Sequence, residues 1–302
     1  MASLPLPLLH VLGAVLGWVI YLVSPRYRRY LKVNLAQAGY AGAGLRRAAI
    51  VEAGRSVIEL PALWLRPHDE VAGLVREVAG WALVEAAWAR GKGILFLTPH
   101  LGCFEVTAQY YARRTRPDAP LTVLYTPPKK KIIEAAMQAG RNRAGLRIAT
   151  PDLSGVRAML RALRKGDAVG ILPDQAPGVG QGEWAEFFGQ PAYTMTLVER
   201  LQQASGASII LAYAERLPHG RGYSLQLAAM PEAAAFERPA RHLNRAIEGL
   251  VRRCPAQYYW GYNRYKVPAG AAPNKAAGAP HATGTPPAAG TPNKGKAQGG
   301  PG

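Results

Sequence analysis

Apolar positions fall into three textures along the chain. Residues 4–23, LPLPLLHVLGAVLGWVIYLV, carry no formal charge, and the run is close to the roughly 20 residues a helix needs to cross the hydrocarbon core of a bilayer. From Leu45 to Leu65 and from Trp81 to Arg90, apolar residues return at helical spacing without alternation and predict helices. Beyond them come short apolar or alternating runs closed by Pro, Asp or Gly: GILFLTPH (93–100), LTVLYTPP (121–128), GLRIATP (145–151), AVGILPD (168–174), ASIILAYAE (207–215) and YSLQLAAM (223–230). These predict strands. Helical stretches lie between most of them, at 103–114, 130–143, 153–165 and 192–204.

Strands alternating with helices predict an α/β fold, a mixed and largely parallel sheet flanked by helices, with sites at the carboxyl ends of the strands. The chain divides into an N-terminal membrane anchor (1–25), a folded domain (26–267) and a tail (268–302). That tail contains no aromatic or large aliphatic side chain, too little to offset the entropy of ordering, so disorder is expected there.

The first 25 residues are read with three alternatives open. Met1–Ser3 carry no basic residue, whereas Arg26, Arg28, Arg29 and Lys32 follow the apolar run. This argues against a cleaved signal peptide and for an anchor with the domain on the cytoplasmic side. A buried hairpin helix starting at Pro5 and Pro7, or a helix lying in the interface, would have the same composition.

Charge narrows the partners without selecting one. The 302 residues hold 37 Lys and Arg against 19 Asp and Glu, a net +18, which favours anionic membrane surfaces, acidic proteins, acidic substrates or nucleic acid. The two cysteines, Cys103 and Cys254, fit neither a metal knuckle nor a disulfide framework and suggest a reducing compartment.

The chemistry centres on TPHLGCFE (98–105). On one helix, residues five apart point about 140° away from each other, so His100 and Glu105 can meet only across a turn. With a strand ending at Thr98–Pro99 and a helix starting near Gly102 or Cys103, Glu105 can face back and hold one imidazole nitrogen. That would leave the other as general base toward a substrate hydroxyl. Backbone N–H groups near Gly102, or Arg141, could stabilise an oxyanion. Cys103 is a rival nucleophile, one that would form an acyl-thioester, or simply a core residue.

Other residues carry paired readings. Arg141 and Arg143, after Lys129–Lys131, could bind phosphate or end a solvated basic helix. Asp174 and Gln175 follow a strand and could bind substrate or form a turn. Phe187, Phe188 and Tyr193 could line an acyl groove or fill the core. Trp260, Arg264 and Lys266 could lie at a membrane interface or pack on the sheet.

The H-x4-E of TPHLGCFE resembles the H-x4-D/E motif of the glycerolipid acyltransferase superfamily, in the glutamate form of the bacterial lipid A late acyltransferases. RRYLKVNL (28–35), GRNRAG (140–145), LPDQAPG (172–178), EFFGQPAYT (186–194) and QYYWGYNRYK (257–266) resemble that family's further blocks, in order, over residues 1–267. The resemblance implies a domain anchored on the cytoplasmic face of the inner membrane. It moves a fatty acyl chain from acyl carrier protein to a hydroxyl of a lipid A precursor, with His100 and Glu105 catalytic and no metal or other cofactor. Arg141, Arg143, Asp174, Gln175 and Arg264 become candidate substrate ligands, and nucleic acid is no longer an expected partner. Cys103–Phe104 stands where the family often has Asn-Trp. Two alternatives stay open: an acyltransferase for another membrane glycolipid or lysophospholipid, and a basic membrane- or nucleic-acid-binding protein without catalysis.

Overall fold

The computed structural model describes residues 3–115, 119–124 and 145–272. The predicted helix at 130–143, with Arg141 and Arg143, lies outside these. The chain begins with four helices: α1 (Leu6–Val23), α2 (Pro25–Gln37), α3 (Ala43–Ile58) and α4 (Leu60–Leu65). The expected 45–65 helix is thus two helices, broken at Glu59 just before Pro61, a residue type that bars continuation of the backbone ladder. α5 (His68–Gly73), β1 (Val75–Ala79), α6 (Ala82–Arg90), β2 (Ile94–Leu97), α7 (Phe104–Arg114), β3 (Leu121–Leu124) and β4 (Leu146–Ala149) follow. The remaining elements are α8 (Leu153–Arg164), β5 (Ala168–Ile171), β6 (Gly182–Phe187), β7 (Gln190–Met195), α9 (Leu197–Ser205), β8 (Ser208–Arg216), β9 (Tyr223–Ala229) and α10 (Pro239–Arg253).

Seven strands form one sheet in the order β1-β9-β8-β2-β5-β3-β4. Every pairing is parallel except the β8–β9 hairpin. β2 and β5, in the middle, are buried at every residue, which explains their wholly apolar sequences: a parallel strand covered on both faces has no polar side. Leu95 and Leu97 join a core with Leu31, Ile50, Met159, Leu163, Ile247 and Val251, while Ile94 and Phe96 join the opposite core with Leu63, Val71, Val84 and Val106. β6 and β7 make a separate hairpin. β7 therefore replaces the first residues of the helix expected at 192–204, and only α9 remains helical.

α1 is long and apolar enough to cross a membrane by length and composition. It is also packed into the same compact unit as the domain, which spans Met1–Ala272. Leu6, Leu9, His10, Gly13 and Gly17 are buried, whereas Leu8, Val11, Leu12, Val15, Trp18, Val19, Leu22 and Val23 are exposed. The buried stripe meets α3 without side chains between the backbones: a Cβ on Gly13 would come to 2.7 Å of the Arg55 Cα, and one on Gly54 would be built into the Gly13 carbonyl. Small residues let helices approach this closely. The ends of α1 are held as well, since Arg66 donates to the Leu4 carbonyl and Arg28 to those of Tyr21 and Leu22.

Candidate active site

His100 lies three residues past β2, and Asp174 three residues past β5. The parallel register pairs Leu97 with Ile171, and Thr98 N–H still donates to the Ile171 carbonyl at 2.9 Å, so the two chains leave the sheet side by side. This brings Asp174 Oδ1 to 2.8 Å from His100 Nδ1, while Asp174 Oδ2 accepts the His100 backbone N–H at 2.9 Å. The carboxylate on Nδ1 is therefore Asp174 and not Glu105, the residue that the motif spacing suggested. Non-local register between neighbouring strands decides this. Glu105 does occupy the first turn of α7 and is buried, on the wall of an apolar cavity described below.

Burial by itself would raise the carboxyl of Asp174, but the His100 imidazole and its hydrogen bonds hold it below the usual carboxylate range. It is thus ionised at neutral pH and fixes the proton of the neutral ring on Nδ1. His100 Nε2 is left as the acceptor, and it faces Gln175 Nε2 at 3.3 Å. The ring also lies edge-on to Phe104, centroids 5.1 Å apart, and tilted against Tyr259 at 6.2 Å. Tyr258 is buried behind Asp174, and burial, reinforced by that carboxylate, keeps its phenol protonated.

The backbone N–H groups of residues 100–103 all have acceptors within the protein. Leu101 N–H goes to the Pro99 carbonyl (2.6 Å), Gly102 N–H to Gln257 (3.0 Å) and Cys103 N–H to Ala214 (2.7 Å), and that of His100 is on Asp174. The N–H groups of residues 100–103 are thus engaged within the protein. Gly102 has another function: its φ is +61°, and a Cβ there would be built into the Ala214 carbonyl, so only glycine lets the loop lie against β8.

Cys103 is buried, and burial together with the neighbouring Glu59 carboxylate pushes its thiol well above its ordinary value. A thiolate is disfavoured at neutral pH, which removes the chemical basis for the thioester rival.

Of two cavities near the site, the smaller is bounded by the imidazole, and the larger is lined by Phe104, which lies edge-on to it. One, about 50 Å³, runs between α7 and the sheet and is lined by Trp81, Phe96, Phe104, Glu105, Val123 and Leu225 among others. The second, about 10 Å³, is bounded by His100, Asp174, Gln175, Phe187, Tyr259 and Arg264. The Arg264 guanidinium is buried and donates to the Tyr193 carbonyl (2.8 Å), Thr194 Oγ1 (2.8 Å) and Asn244 Oδ1 (3.1 Å), stacked 5.2 Å from the Phe187 ring centroid. It fastens the β6–β7 hairpin and α10 beneath the site, and with Trp260, also buried, it packs inward instead of facing a membrane. Phe187, Phe188 and Tyr193 are likewise buried. Asn34 of the RRYLKVNL block donates to the Trp260 and Tyr262 carbonyls, both at 2.7 Å, joining two of the ordered blocks in space. Sequence reasoning passed over Tyr258, Tyr259, Glu59 and Arg216 individually, although the block at 257–266 pointed to the first two. Among the described residues no cluster of His, Cys, Asp or Glu could hold a metal ion.

The model of the bacterial lipid A biosynthesis acyltransferase family matches residues 1–267. The lipid A biosynthesis lauroyltransferase of Escherichia coli K12 is 25% identical over 282 residues, 90% of each chain. The palmitoleoyltransferase of the same organism is 24% identical over 274 residues, 87% of each chain. A lipid A biosynthesis acyltransferase of Haemophilus influenzae is 27% identical over 185 residues, 61% of this chain and 57% of its own. With the ordered blocks assembled around one histidine on a parallel sheet, and the family model spanning all of the folded elements, the chain belongs to the bacterial lipid A biosynthesis acyltransferases.

Proposed function

We propose that this acyltransferase takes its acyl group from the thioester of acyl carrier protein and places it on a hydroxyl of a lipid A precursor, with His100 as general base. The observation that carries the reading is the Nδ1-to-Asp174 contact, which leaves Nε2 as the acceptor at the carboxyl end of the sheet, with Phe104 between the ring and an apolar cavity. The acceptor hydroxyl displaces Gln175 from Nε2 and gives its proton to that nitrogen as its oxygen attacks the thioester carbonyl. Collapse of the tetrahedral intermediate breaks the C–S bond. The sulfur leaves as thiolate and takes the proton back from the imidazolium. Gln175, whose side-chain amide lies 3.3 Å from Nε2, is the proposed donor to the oxyanion.

The cavity beside Phe104 and Glu105 is the proposed seat of the acyl chain. At about 50 Å³ it is well below the roughly 300–1,000 Å³ of ligand pockets, so the chain must part α7 from the sheet as it enters. Arg141 and Arg143 remain the proposed phosphate ligands from sequence. A net charge of +18 suits an acidic protein donor and predicts a rate that falls as salt rises. The test is transfer from a long-chain acyl carrier protein to a lipid A precursor in detergent, followed by mass spectrometry. Product with a lysophospholipid acceptor but none with the lipid A precursor would overturn the acceptor assignment.

The inner membrane, with the domain on its cytoplasmic face, is the proposed location, and the exposed face of α1 is the proposed lipid contact. Since α1 is packed on α3, deleting it would open the core. Replacing Val15 and Val19, both exposed, with glutamate tests the contact more cleanly. The variant is expected to move into the wash fraction while still folded, and full retention on the membrane would assign anchoring to another surface.

A further inference from the structure

Beneath the catalytic loop lies a buried charged cluster that the reaction itself does not use. Glu59, at the break between α3 and α4, and Arg216, the last residue of β8, are both nearly inaccessible. Arg216 Nε lies 3.0 Å from each Glu59 carboxylate oxygen, and Nη2 is 2.5 Å from Oε1. Nη2 also donates to the Gly102 carbonyl at 2.9 Å. Gln257 closes the arrangement: its side chain bonds the Arg216 N–H (2.8 Å) and carbonyl (3.1 Å), and its own carbonyl accepts the Gly102 N–H. The peptide unit of Gly102 is therefore held on both sides, and the His100 carbonyl two residues earlier accepts the Tyr259 N–H at 2.9 Å.

The other end of the cluster reaches the membrane helix. Glu59 Oε2 accepts from the Tyr223 hydroxyl at 3.0 Å and lies 3.3 Å from Nε2 of His10, a buried residue of α1. Glu52 of α3 stands 3.5 Å from Arg216 Nη1. A continuous path thus runs from His10 through Glu59 and Arg216 to the carbonyl of Gly102, two residues from the base.

We propose that Arg216 is a positioning residue for the acyl-transfer reaction, and that His10 and Glu59 make the docked α1 part of the machinery that sets the His100 loop. This rests on the reading of His100 as the base. Removing two charges from water is costly, and an apolar trio could fill the same volume without that cost. What an apolar trio could not supply is a donor to the Gly102 carbonyl on a loop whose backbone must hold the imidazole in one place. A charge held on three sides has little freedom, and neither has the carbonyl bound to it. An enzyme built in this way turns over at full rate only with α1 seated on α3.

The experiment uses the full chain in detergent micelles, with an acyl carrier protein thioester as donor and a lipid A precursor as acceptor. Arg216→Lys keeps a charge for Glu59 but cannot also reach Gly102 with the same fork. Its kcat per folded molecule is expected to fall about 10- to 100-fold, with both KM values within about twofold. His10→Phe keeps the bulk of the ring but removes its donor, and a smaller fall in kcat is expected. Neither change should lower the residual rate of a His100→Ala background further, because both act through His100. Wild-type kcat in folded Arg216→Lys, or losses that multiply on the His100→Ala background, would show a merely structural cluster and overturn the proposal. If Arg216→Lys does not fold, His10→Phe alone decides by the same two readouts. Full turnover by His100→Ala is a separate result, which removes the base assignment and the positioning with it.

Discussion

His100→Ala is expected to lower acyl transfer about 10²–10⁴-fold, the usual cost of losing a general base, with little change in the thermal midpoint. Asp174→Asn is expected to come close to the same loss, for a reason visible in its contacts. Asp174 accepts from both the His100 ring and the His100 backbone, and from the Tyr258 phenol as well. A carboxamide offers one oxygen and one NH2 group, which only donates. If the oxygen keeps the backbone bond, the amide N–H faces Nδ1 and drives the ring proton to Nε2, where it blocks the base. If the oxygen keeps the ring, the N–H group meets another donor at the backbone. Steady-state rates for Asp174→Asn and Glu105→Gln, with folding checked by melting, separate the two carboxylates. Normal turnover in the former with a large loss in the latter would return the orienting role to Glu105.

His100 could be found from sequence because a strand made only of apolar residues, cut off by Pro99, leaves little doubt about where its carboxyl end lies. Asp174 was visible for the same reason, after AVGIL. That the two meet was not visible, because they are 74 residues apart in sequence and become neighbours only through the pairing of β2 with β5. The motif placed a carboxylate five residues after His100, and local spacing was taken for contact. The buried cluster was still harder to foresee. Glu59 sits in an apolar helical stretch and Arg216 at the end of an apolar strand, where either would normally be assigned to solvent; only the fold shows that each supplies the other's countercharge. Burial favours the neutral Glu59 carboxyl, but Arg216 and His10 outweigh it and hold the group at about 2. A depressed carboxyl stabilises the fold above its ordinary range and ceases to do so as pH falls through the native value. This contribution is therefore lost between about pH 4.5 and 2.

Six strands in the sheet were legible because they are short apolar or alternating runs bounded by turn residues. β1, the strand at one edge of the sheet, was missed: VREVA carries Arg76 and Glu77 side by side, and its burial shows no clean alternation. Charged residues suit an edge that must not pair further. The β6–β7 hairpin was missed for a local reason. Its two-residue turn is Phe188–Gly189, both with positive φ, a geometry that usually announces itself through Asn-Gly or Asp-Gly. Phe188 tolerates it within a packed aromatic group, against Phe187 at 4.9 Å and with Arg252 over its ring at 5.0 Å. Amphipathic spacing alone extended the following helix backward into β7.

The packing of α1 on α3 yields the second large expected effect. Gly54→Val is expected to destabilise the chain by about 1–3 kcal/mol or more, the cost of overpacking a closed contact, and to lower the thermal midpoint in detergent by several degrees. No rotamer can relieve the clash, since the Cβ itself meets backbone atoms of Gly13 and Gly17 on α1. The helices must separate, and separation draws His10 away from Glu59. Gly249→Ala serves as the opposite case. That glycine lies inside α10, is exposed, and a Cβ there would meet nothing within 4 Å, so about 0.5–1 kcal/mol of stabilisation is expected from helix propensity. Melting curves of the two variants against the wild type measure the difference between a glycine needed for contact and one that is not. Acyl transfer by folded Gly54→Val then reports the fate of the loop. Since α1 reaches Gly102 through His10, Glu59 and Arg216, kcat per folded molecule should fall along with stability. An unchanged melting midpoint in Gly54→Val would mean that α1 does not cross α3 at these glycines, and the route from α1 to the base would have no foundation.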